Sequence, residues 1–208
     1  MLLWDDKTGI GFYPVENPVY DDAYFEEYER REHGPLADPL NTFRINLVNA
    51  YTVNGVGPEM VLDVGIGNGA FIRRRGQAFG FDVCPRAVTW LQTQGLFVDP
   101  YRDDLGRFHG ITFFDSFEHI YWPPALLAHI GSQTVFISLP VFRDRDHVLS
   151  SKHFKPREHY WYFTIEGLVH FMKAQAFELS LYSEEEKRIG REDIGTFIFQ
   201  RSETEAAR

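Results

Sequence analysis

Apolar and polar positions along this chain follow two alternating patterns, one typical of buried strands and one typical of amphipathic helices. Nearly continuous apolar runs at 60–64 and 134–140 are typical of strands covered on both faces. Between such runs, apolar residues recur at helical spacing, as in 164–172, where Thr164 is a favourable N-cap. This succession of strands and helices predicts an α/β protein with a largely parallel sheet.

The predicted strands share short length and apolar character; they are 60–64, 78–83, 96–98, 110–116 and 134–140, followed by a hairpin of 177–183 and 196–201. Helices are predicted between them at 70–75, 85–95, 123–131 and 164–172. We therefore predict a doubly wound, Rossmann-like sheet of seven strands, mostly parallel with a C-terminal antiparallel hairpin. Ligands of such sheets bind beyond the carboxyl ends of the strands.

The N-terminal part is predicted to be a helical extension of this sheet. Residues 1–20 show no clear period, so we expect an irregular lead-in, and acids precede arginines in 21–32, as a helix dipole favours. A second helix is predicted from Asp38 as N-cap. We expect three parts: an extension of 1–57 that is not an independent domain, the main domain of 58–201, and a polar tail of 202–208.

Aromatic residues on the first of these helices allow two interpretations. Tyr24, Phe25 and Tyr28 fall on one helical segment. Such a segment either covers a bound ligand as a lid or packs its rings into the core. The sequence leaves both interpretations open.

The stretch VLDVGIGNGAF, residues 61–71, carries the strongest chemical signal. Gly65, Gly67 and Gly69 follow the first predicted strand, where backbone must turn sharply and approach a ligand closely. Asp63 precedes them, and Asp82 ends the next strand about twenty residues on, where an acid can accept ribose hydroxyls. The turn reads G-x-G-x-G rather than G-x-G-x-x-G, and its acid would repel a pyrophosphate but suits an ammonium or sulfonium ligand.

Five stretches together resemble the motifs of class I S-adenosylmethionine-dependent methyltransferases, in the order which that fold requires. They are VLDVGIGNGAF, GFDVCPRAVTWL, FFDSFEHI, VFISLP and HYWYFTIEGLVHFM. The resemblance covers residues 58–201 and departs from the family at Ile66, where Cys or Ala is frequent, and in the short connection between the third and fourth strands. It implies S-adenosylmethionine as methyl donor and S-adenosylhomocysteine as product.

The resemblance also implies a set of cofactor-binding residues, first on the methionine side. Asp63 would bind the methionine amino group, directly or through water, and the backbone of Gly65, Ile66 and Gly67 would face the methionine and ribose.

On the nucleoside side, Asp82 would take the ribose hydroxyls and Val83 would pack on the adenine. Asp99 would contact the adenine amino group, although its DPY context also suits a plain turn. Asp115 and Ser116 would lie near the reactive methyl.

Histidines after the strands are the candidate catalytic residues. His119 follows the fourth strand and His159 precedes a late strand, in a region where this superfamily builds its acceptor pocket. Either could remove a proton from the acceptor, orient it, or serve only as a helix cap or packed residue. His147, His153 and His159 fit no usual zinc spacing, and with one cysteine we expect no metal site.

Composition limits the partners. The formal net charge of −9 opposes nucleic acid, and the chain lacks the Pro-Cys nucleophile or the Asp/Asn-Pro-Pro-aromatic stretch of DNA base methyltransferases. The one basic, aromatic cluster, 152–157, either contacts an anionic acceptor or is a solvated loop.

No membrane-spanning segment and no signal peptide are evident, so we expect a cytoplasmic protein whose single Cys84 is a core residue.

The prediction is a methyltransferase acting on a small-molecule acceptor at O, N or C. The alternative is a non-catalytic module that binds S-adenosylmethionine in regulation or assembly. A nucleotide-binding oxidoreductase is a third reading, but it requires a pyrophosphate turn that this sequence lacks.

Overall fold

The structure is a computed structural model that describes residues 1–16, 18, 20–32, 34–52, 59–131 and 133–202. Its strands are β1 (Leu3–Asp5), β2 (Ile10–Phe12), β3 (Val61–Val64), β4 (Ala78–Phe81), β5 (Gly110–Phe114), β6 (Thr134–Pro140), β7 (Trp161–Phe163), β8 (Phe177–Ser183) and β9 (Ile194–Arg201). Its helices are α1 (Asp22–Glu32), α2 (Ala37–Thr52), α3 (Ala70–Arg75), α4 (Pro85–Thr93), α5 (Pro123–Leu127), α6 (Arg145–Ser150), α7 (Ile165–Lys173) and α8 (Glu185–Ile189), with a 3-10 helix at Phe117–His119.

The central sheet has the predicted mixed α/β architecture. Its strand order is β4-β3-β5-β6-β9-β8, with β4, β3, β5 and β6 parallel and the C-terminal β8 and β9 antiparallel. This order places the carboxyl ends of β3, β4 and β5 side by side, at the edge where ligands of such sheets bind. The α/β prediction is confirmed, and the predicted C-terminal hairpin is present.

The central sheet has six strands, so the predicted number of seven was wrong. The missing strand is the segment 96–98, which makes a single parallel bridge between Phe97 and Gly80. Its backbone hydrogen bonds join Gly80 N to Leu96 O at 2.9 Å and Val98 N to Gly80 O at 3.0 Å. One bridge aligns the segment with β4, but the chain then turns away at Asp99–Asp103 before a ladder can extend.

A second, small sheet joins the N-terminal segment to β7, which is distant in the sequence. Its order is β1-β2-β7, all antiparallel, with Ile10 opposite Phe163 and Phe12 opposite Trp161. The predicted irregular structure of residues 1–20 was therefore wrong in part. Residues of β1 and β2 form strands because β2 pairs with β7, which is distant in the sequence. This sheet brings the segment before β7 against the 3-10 helix, where Tyr160 N donates to Glu118 O over 2.9 Å.

Both faces of the central sheet are buried. One core cluster includes Phe113, Ile137 and Phe197, and the other, on which α2, α3 and α4 pack, includes Val48, Ile72 and Leu91. Burial on both faces explains the nearly continuous apolar runs of β3, β5 and β6.

The helices largely begin and end where the sequence predicts. Thr164 accepts a hydrogen bond from Gly167 N over 2.9 Å, as the predicted N-cap of α7. Helix α2 begins at Ala37, so Asp38 lies inside its first turn rather than at the N-cap. The glycines at 55 and 57 that we expected to end this helix lie outside the described residues, as do 203–208 of the predicted tail. The division at residue 57 stays a prediction.

Candidate functional site

The glycine turn after β3 closes on the turn after β5. Gly65 and Gly67 have φ of +83° and +57°, a region that side chains other than glycine rarely adopt. A Cβ at Gly65 would collide with the Cβ of Ser116, whose hydroxyl donates to Val64 O. The two turns are thus packed as closely as glycine allows, which explains why glycine occupies this position.

Asp82, after β4, supports the same turn from the other side. Its carboxylate accepts hydrogen bonds from Gly67 N at 3.1 Å and from Cys84 N at 2.8 Å. Burial raises the pKa of Asp82, while these backbone donors act in the opposite direction. The acid therefore holds the glycine turn in shape and faces the cavity beside it.

Two cavities flank the glycine turn and share Gly65, Gly67, Phe114 and Asp115 in their walls. The first, of about 410 Å³, extends toward α2 and is lined by Asn41 and Arg44 among others. The second, of about 330 Å³, extends past Asp82 to a mainly aromatic wall of Tyr20, Tyr101, Tyr121 and Trp122. Because they share these residues, the two cavities are neighbours at the glycine turn, and we refer to the pair as the cleft.

Asp63 lies at the floor of the first cavity. Its side chain is 3% exposed and accepts a hydrogen bond from the Thr112 hydroxyl over 2.6 Å. Burial raises the pKa of Asp63 to about 7, although the Thr112 hydrogen bond and the charge of Arg44 oppose that rise. A cationic group in the cavity would stabilise the ionised carboxylate of Asp63.

A closed cluster of four charged side chains adjoins the first cavity, and three of them, Arg44, Asp115 and Arg191, line it. Arg44 donates to Asp115 over 2.9 Å and to Glu186 over 2.8 Å. Arg191 donates to Asp115 over 2.9 Å and also to Glu186. Burial raises the pKa of Asp115, but Arg191 and Arg44 outweigh that effect and hold it well below its usual range. This cluster keeps Asp115 at its φ of +59° and turned into the cleft.

The cleft gathers most of the predicted site residues. The first cavity is lined by Asp63 and Ile66, and the second is lined by Asp82, Val83, Ser116 and His119. Both cavities are lined by Gly65, Gly67 and Asp115. Val83 is 61% exposed, so its side chain is available to a ligand.

Two predicted residues, Asp99 and His159, line neither cavity. Asp99 instead caps its own turn by accepting from Tyr101 N over 2.9 Å, and Tyr101 forms the cavity wall in its place. The contact of Asp99 with adenine stays a prediction that this geometry does not support.

The candidate histidines lie next to each other. The ring centroids of His119 and His159 are 4.6 Å apart at an interplanar angle of 80°, and His159 Nε2 is 4.0 Å from Glu118 Oε1. Burial lowers the pKa of His119 to about 4 and also lowers the pKa of His159 well below its usual range. His119 lines the cleft, whereas His159 is buried behind it. A proton-transfer role for either residue stays a prediction.

The basic segment 152–157 is engaged in surface ion pairs. Lys152 pairs with Glu192 at 2.7 Å and Lys155 pairs with Glu158 at 3.1 Å. Neither of these lysines lines a cavity at the cleft. This geometry favours the solvated-loop interpretation over contact with an anionic acceptor.

Two other residues, Cys84 and Phe25, clarify the sequence interpretations. Cys84 is buried at 2% exposure and free, as expected of a core residue. Phe25 is buried in the core, which favours packing for that ring, whereas the side chains of Tyr24 and Tyr28 lie outside those described.

Sequence reasoning missed Tyr20, Arg44 and Arg191 as site residues. No local motif surrounds them, and only the fold brings them to the cleft.

In the part of the chain that the structure describes, no helix is both long and apolar enough to cross a membrane.

A family model described as a methyltransferase domain matches residues 29–181. A comparison with curated proteins found no match. Among solved structures, the chain is similar to magnesium protoporphyrin IX methyltransferase from Synechocystis PCC 6803 with bound S-adenosylhomocysteine, at 13% identity and a TM-score of 0.62, covering 88% of this chain and 96% of that one.

Two further solved structures share the fold. One is the 1,6-didemethyltoxoflavin-N1-methyltransferase from Burkholderia thailandensis, with 17% identity, a TM-score of 0.52, and coverage of 97% of this chain and 99% of that one. The other is the N-methyltransferase NodS from Bradyrhizobium japonicum WM9, with 11% identity, a TM-score of 0.56, and coverage of 83% and 99%.

Proposed function

This chain belongs to the methyltransferase domain family, and from that premise we propose that it methylates a small-molecule acceptor bound at the aromatic end of the cleft. It is a class I S-adenosylmethionine-dependent methyltransferase, with S-adenosylmethionine as cofactor and S-adenosylhomocysteine as product. The observation that carries the proposal is the glycine turn of Gly65 and Gly67, which Asp82 supports and which lines two adjacent cavities.

The residues of the cleft fit such a cofactor. The turn at Gly65 leaves no room for a Cβ, so backbone alone faces the ligand. Asp82 would accept the ribose hydroxyls, with Val83 against the adenine. Asp63, buried beside Arg44, would bind the amino group, because an ammonium there stabilises its ionised form.

Arg44 extends this assignment beyond the residues predicted from the sequence. Its guanidinium lines the first cavity while it is held by Asp115 and Glu186. A cation fixed in that position would attract the carboxylate of the methionine moiety. The first cavity would then hold the amino acid end of the cofactor. In the second cavity the nucleoside would lie at Asp82 and Val83, which leaves the wall of aromatic side chains to the acceptor.

The bound cofactor supplies an activated methyl group on a sulfonium, which already has a good leaving group. The chain therefore has to align the acceptor and exclude water, more than to activate the methyl. Asp115 lines both cavities, and Ser116 and His119 line the second cavity. These three side chains would face the acceptor.

The acceptor class is inferred from the walls of the cleft. Tyr20, Tyr121 and Trp122 give the second cavity a mainly apolar, aromatic lining that suits a small ring compound. Two structural relatives are named for ring compounds, a protoporphyrin and a didemethyltoxoflavin. The net charge of −9 argues against a polyanionic acceptor.

Calorimetric titration with S-adenosylhomocysteine tests the cofactor assignment. The affinity of Asp82→Ala for S-adenosylhomocysteine should be about 10–100-fold lower than that of the wild-type protein, the loss expected for hydrogen bonds to a charged group. Asp6→Ala, which removes an exposed acid outside the cleft, is the matched control and should bind as the wild type does. Absence of any binding to the wild-type protein would refute the assignment.

A second experiment separates an enzyme from a non-catalytic binding module. The protein is incubated with labelled S-adenosylmethionine and a fractionated pool of small metabolites. Transfer of label to a compound in the pool, with formation of S-adenosylhomocysteine, supports the proposed function. Cofactor binding without transfer to any fraction favours the binding module instead.

A further inference from the structure

Three potential metal ligands from two separate segments meet behind the second cavity. Glu118 and His119 lie on the 3-10 helix after β5, and His159 precedes β7. One ligand atom from each of these residues lies within 4.8 Å of the other two. The backbone hydrogen bond from Tyr160 N to Glu118 O, 2.9 Å long, holds the two segments together.

The carboxylate of Glu118 is buried without full compensation. Glu118 is 2% exposed, and its Oε2 has no hydrogen-bond partner among the residues that the structure describes. Burying such an oxygen unpaired is unfavourable, and buried carboxylates are normally hydrogen-bonded, ion-paired or bound to a metal. Lys155 is a nearby cation, but its ammonium is held by Glu158 at 3.1 Å, so it does not satisfy Glu118.

We propose that Glu118, His119 and His159 bind one divalent transition-metal ion of the zinc class. One carboxylate and two imidazoles are a ligand set that zinc uses in sites with three protein ligands, whereas magnesium and calcium prefer oxygen ligands alone. With Nε2 of His119 as the ligand atom, Tyr20 would be an outer partner that orients the imidazole, because its hydroxyl lies 3.2 Å from Nδ1 of His119.

Three protein ligands leave a coordination position open. His119 lines the second cavity, so the open side of the ion would face the cleft. If the proposed function holds, an acceptor oxygen or nitrogen would occupy that position, and the ion would favour loss of its proton. Binding of the ion itself does not depend on that function.

The test is a titration of untagged, EDTA-treated protein with Zn²⁺ and, separately, with Co²⁺, both without cofactor. We expect one ion per chain, and a Co²⁺ absorption spectrum with the intense visible bands of a four- or five-coordinate site. Glu118→Gln and His159→Gln should each weaken Zn²⁺ binding by at least about 10–100-fold, the loss that removal of even an outer partner causes. His129→Gln, which changes an exposed histidine outside the cluster, should bind as the wild type does.

The proposal would be overturned if the wild-type protein does not bind Zn²⁺, or if both ligand variants bind Zn²⁺ as tightly as the wild-type protein does. If the variants do not fold, the Co²⁺ spectrum of the wild-type protein decides, because weak octahedral bands contradict the proposed ligands and intense bands support them. Titration with S-adenosylhomocysteine on the same preparation separates the two hypotheses. Metal binding that fails while S-adenosylhomocysteine binds refutes only the metal site, and the reverse result refutes only the proposed cofactor.

Discussion

Arg44 donates from Nη2 to Oδ2 of Asp115 over 2.9 Å, and this ion pair ties helix α2 to the turn after β5. The same guanidinium donates to Glu186 in α8, so one side chain connects α2 with the helix between the last two strands. Only 10% of the Arg44 side chain is exposed. Removal of a buried partner leaves the remaining charges uncompensated.

Arg44→Met should therefore lower the free energy of unfolding by about 3–5 kcal/mol, the cost of breaking a buried ion pair on one side. Urea denaturation measures it. The control is Arg30→Met, whose pair with Glu27 is exposed and should contribute about 0–1 kcal/mol. Similar losses in the two variants would contradict a structural role for the buried cluster.

Gly65→Ala should abolish binding of S-adenosylhomocysteine. A methyl group at this position both forces an unfavourable positive φ and collides with Ser116, so the turn must move. Gly76→Ala is a matched control, because Gly76 also has a positive φ of +64° but a Cβ there meets nothing within 4 Å. Gly76 has a ψ of 176°, so an alanine there should destabilise the fold by about 1–3 kcal/mol through backbone strain and leave calorimetric affinity unchanged. An affinity loss of the same size in both would show that strain alone, rather than the close approach to Ser116, is responsible.

The pKa of Asp63 predicts how stability varies with pH. Burial raises the pKa of Asp63 from 3.8 in the unfolded chain to about 7 in the folded one. Between those values the folded state holds more protons than the unfolded state, so this group makes stability fall as pH rises through that window. Asp63→Asn, which keeps a side-chain oxygen for the Thr112 hydroxyl, should remove this fall.

The measurement is urea unfolding of both proteins in the absence of cofactor, at several pH values from about 4 to about 8, the interval around the two pKa values. Relative to the variant, the wild-type protein should lose stability steadily across this interval. Parallel stability curves would mean that Asp63 does not titrate there.

Thr164→Ala should destabilise the protein by about 1 kcal/mol, because it removes the side-chain acceptor for Gly167 N at the start of α7. Thr93→Ala is the control, since Thr93 is the exposed last residue of α4 and its hydroxyl donates to Thr89 O within the same helix. A change within about 0.5 kcal/mol is expected there. Thermal unfolding compares the two, and an equal shift in both would argue against the cap.

The sequence was sufficient for features that depend on neighbouring residues. The apolar runs of β3, β5 and β6, the cap at Thr164 and the glycine turn are local patterns, and the structure reproduces them. Hydrophobic periodicity and turn chemistry act over a few residues, so they can be read without knowledge of the fold. The small sheet of β1, β2 and β7 was missed because its strands are distant in sequence.

Asp99 illustrates the limit of a motif. Its position after the third predicted strand suggested an adenine contact, but that segment forms only one bridge, and its turn directs Tyr101 to the cleft instead. Strand pairing is a property of two segments, so a short apolar run alone does not determine whether a ladder extends.

By itself, the sequence determined the glycine turn, the acids at positions 63 and 82, and through them the methyl donor, because those residues are placed by consecutive strands whose carboxyl ends must meet. Only the tertiary structure decided which distant side chains complete the site. It joined Arg44 and Arg191 around Asp115, and it brought His159 to Glu118 and His119. Such contacts arise from the packing of segments that are distant in the sequence. The spacing of histidines along the chain therefore does not predict them.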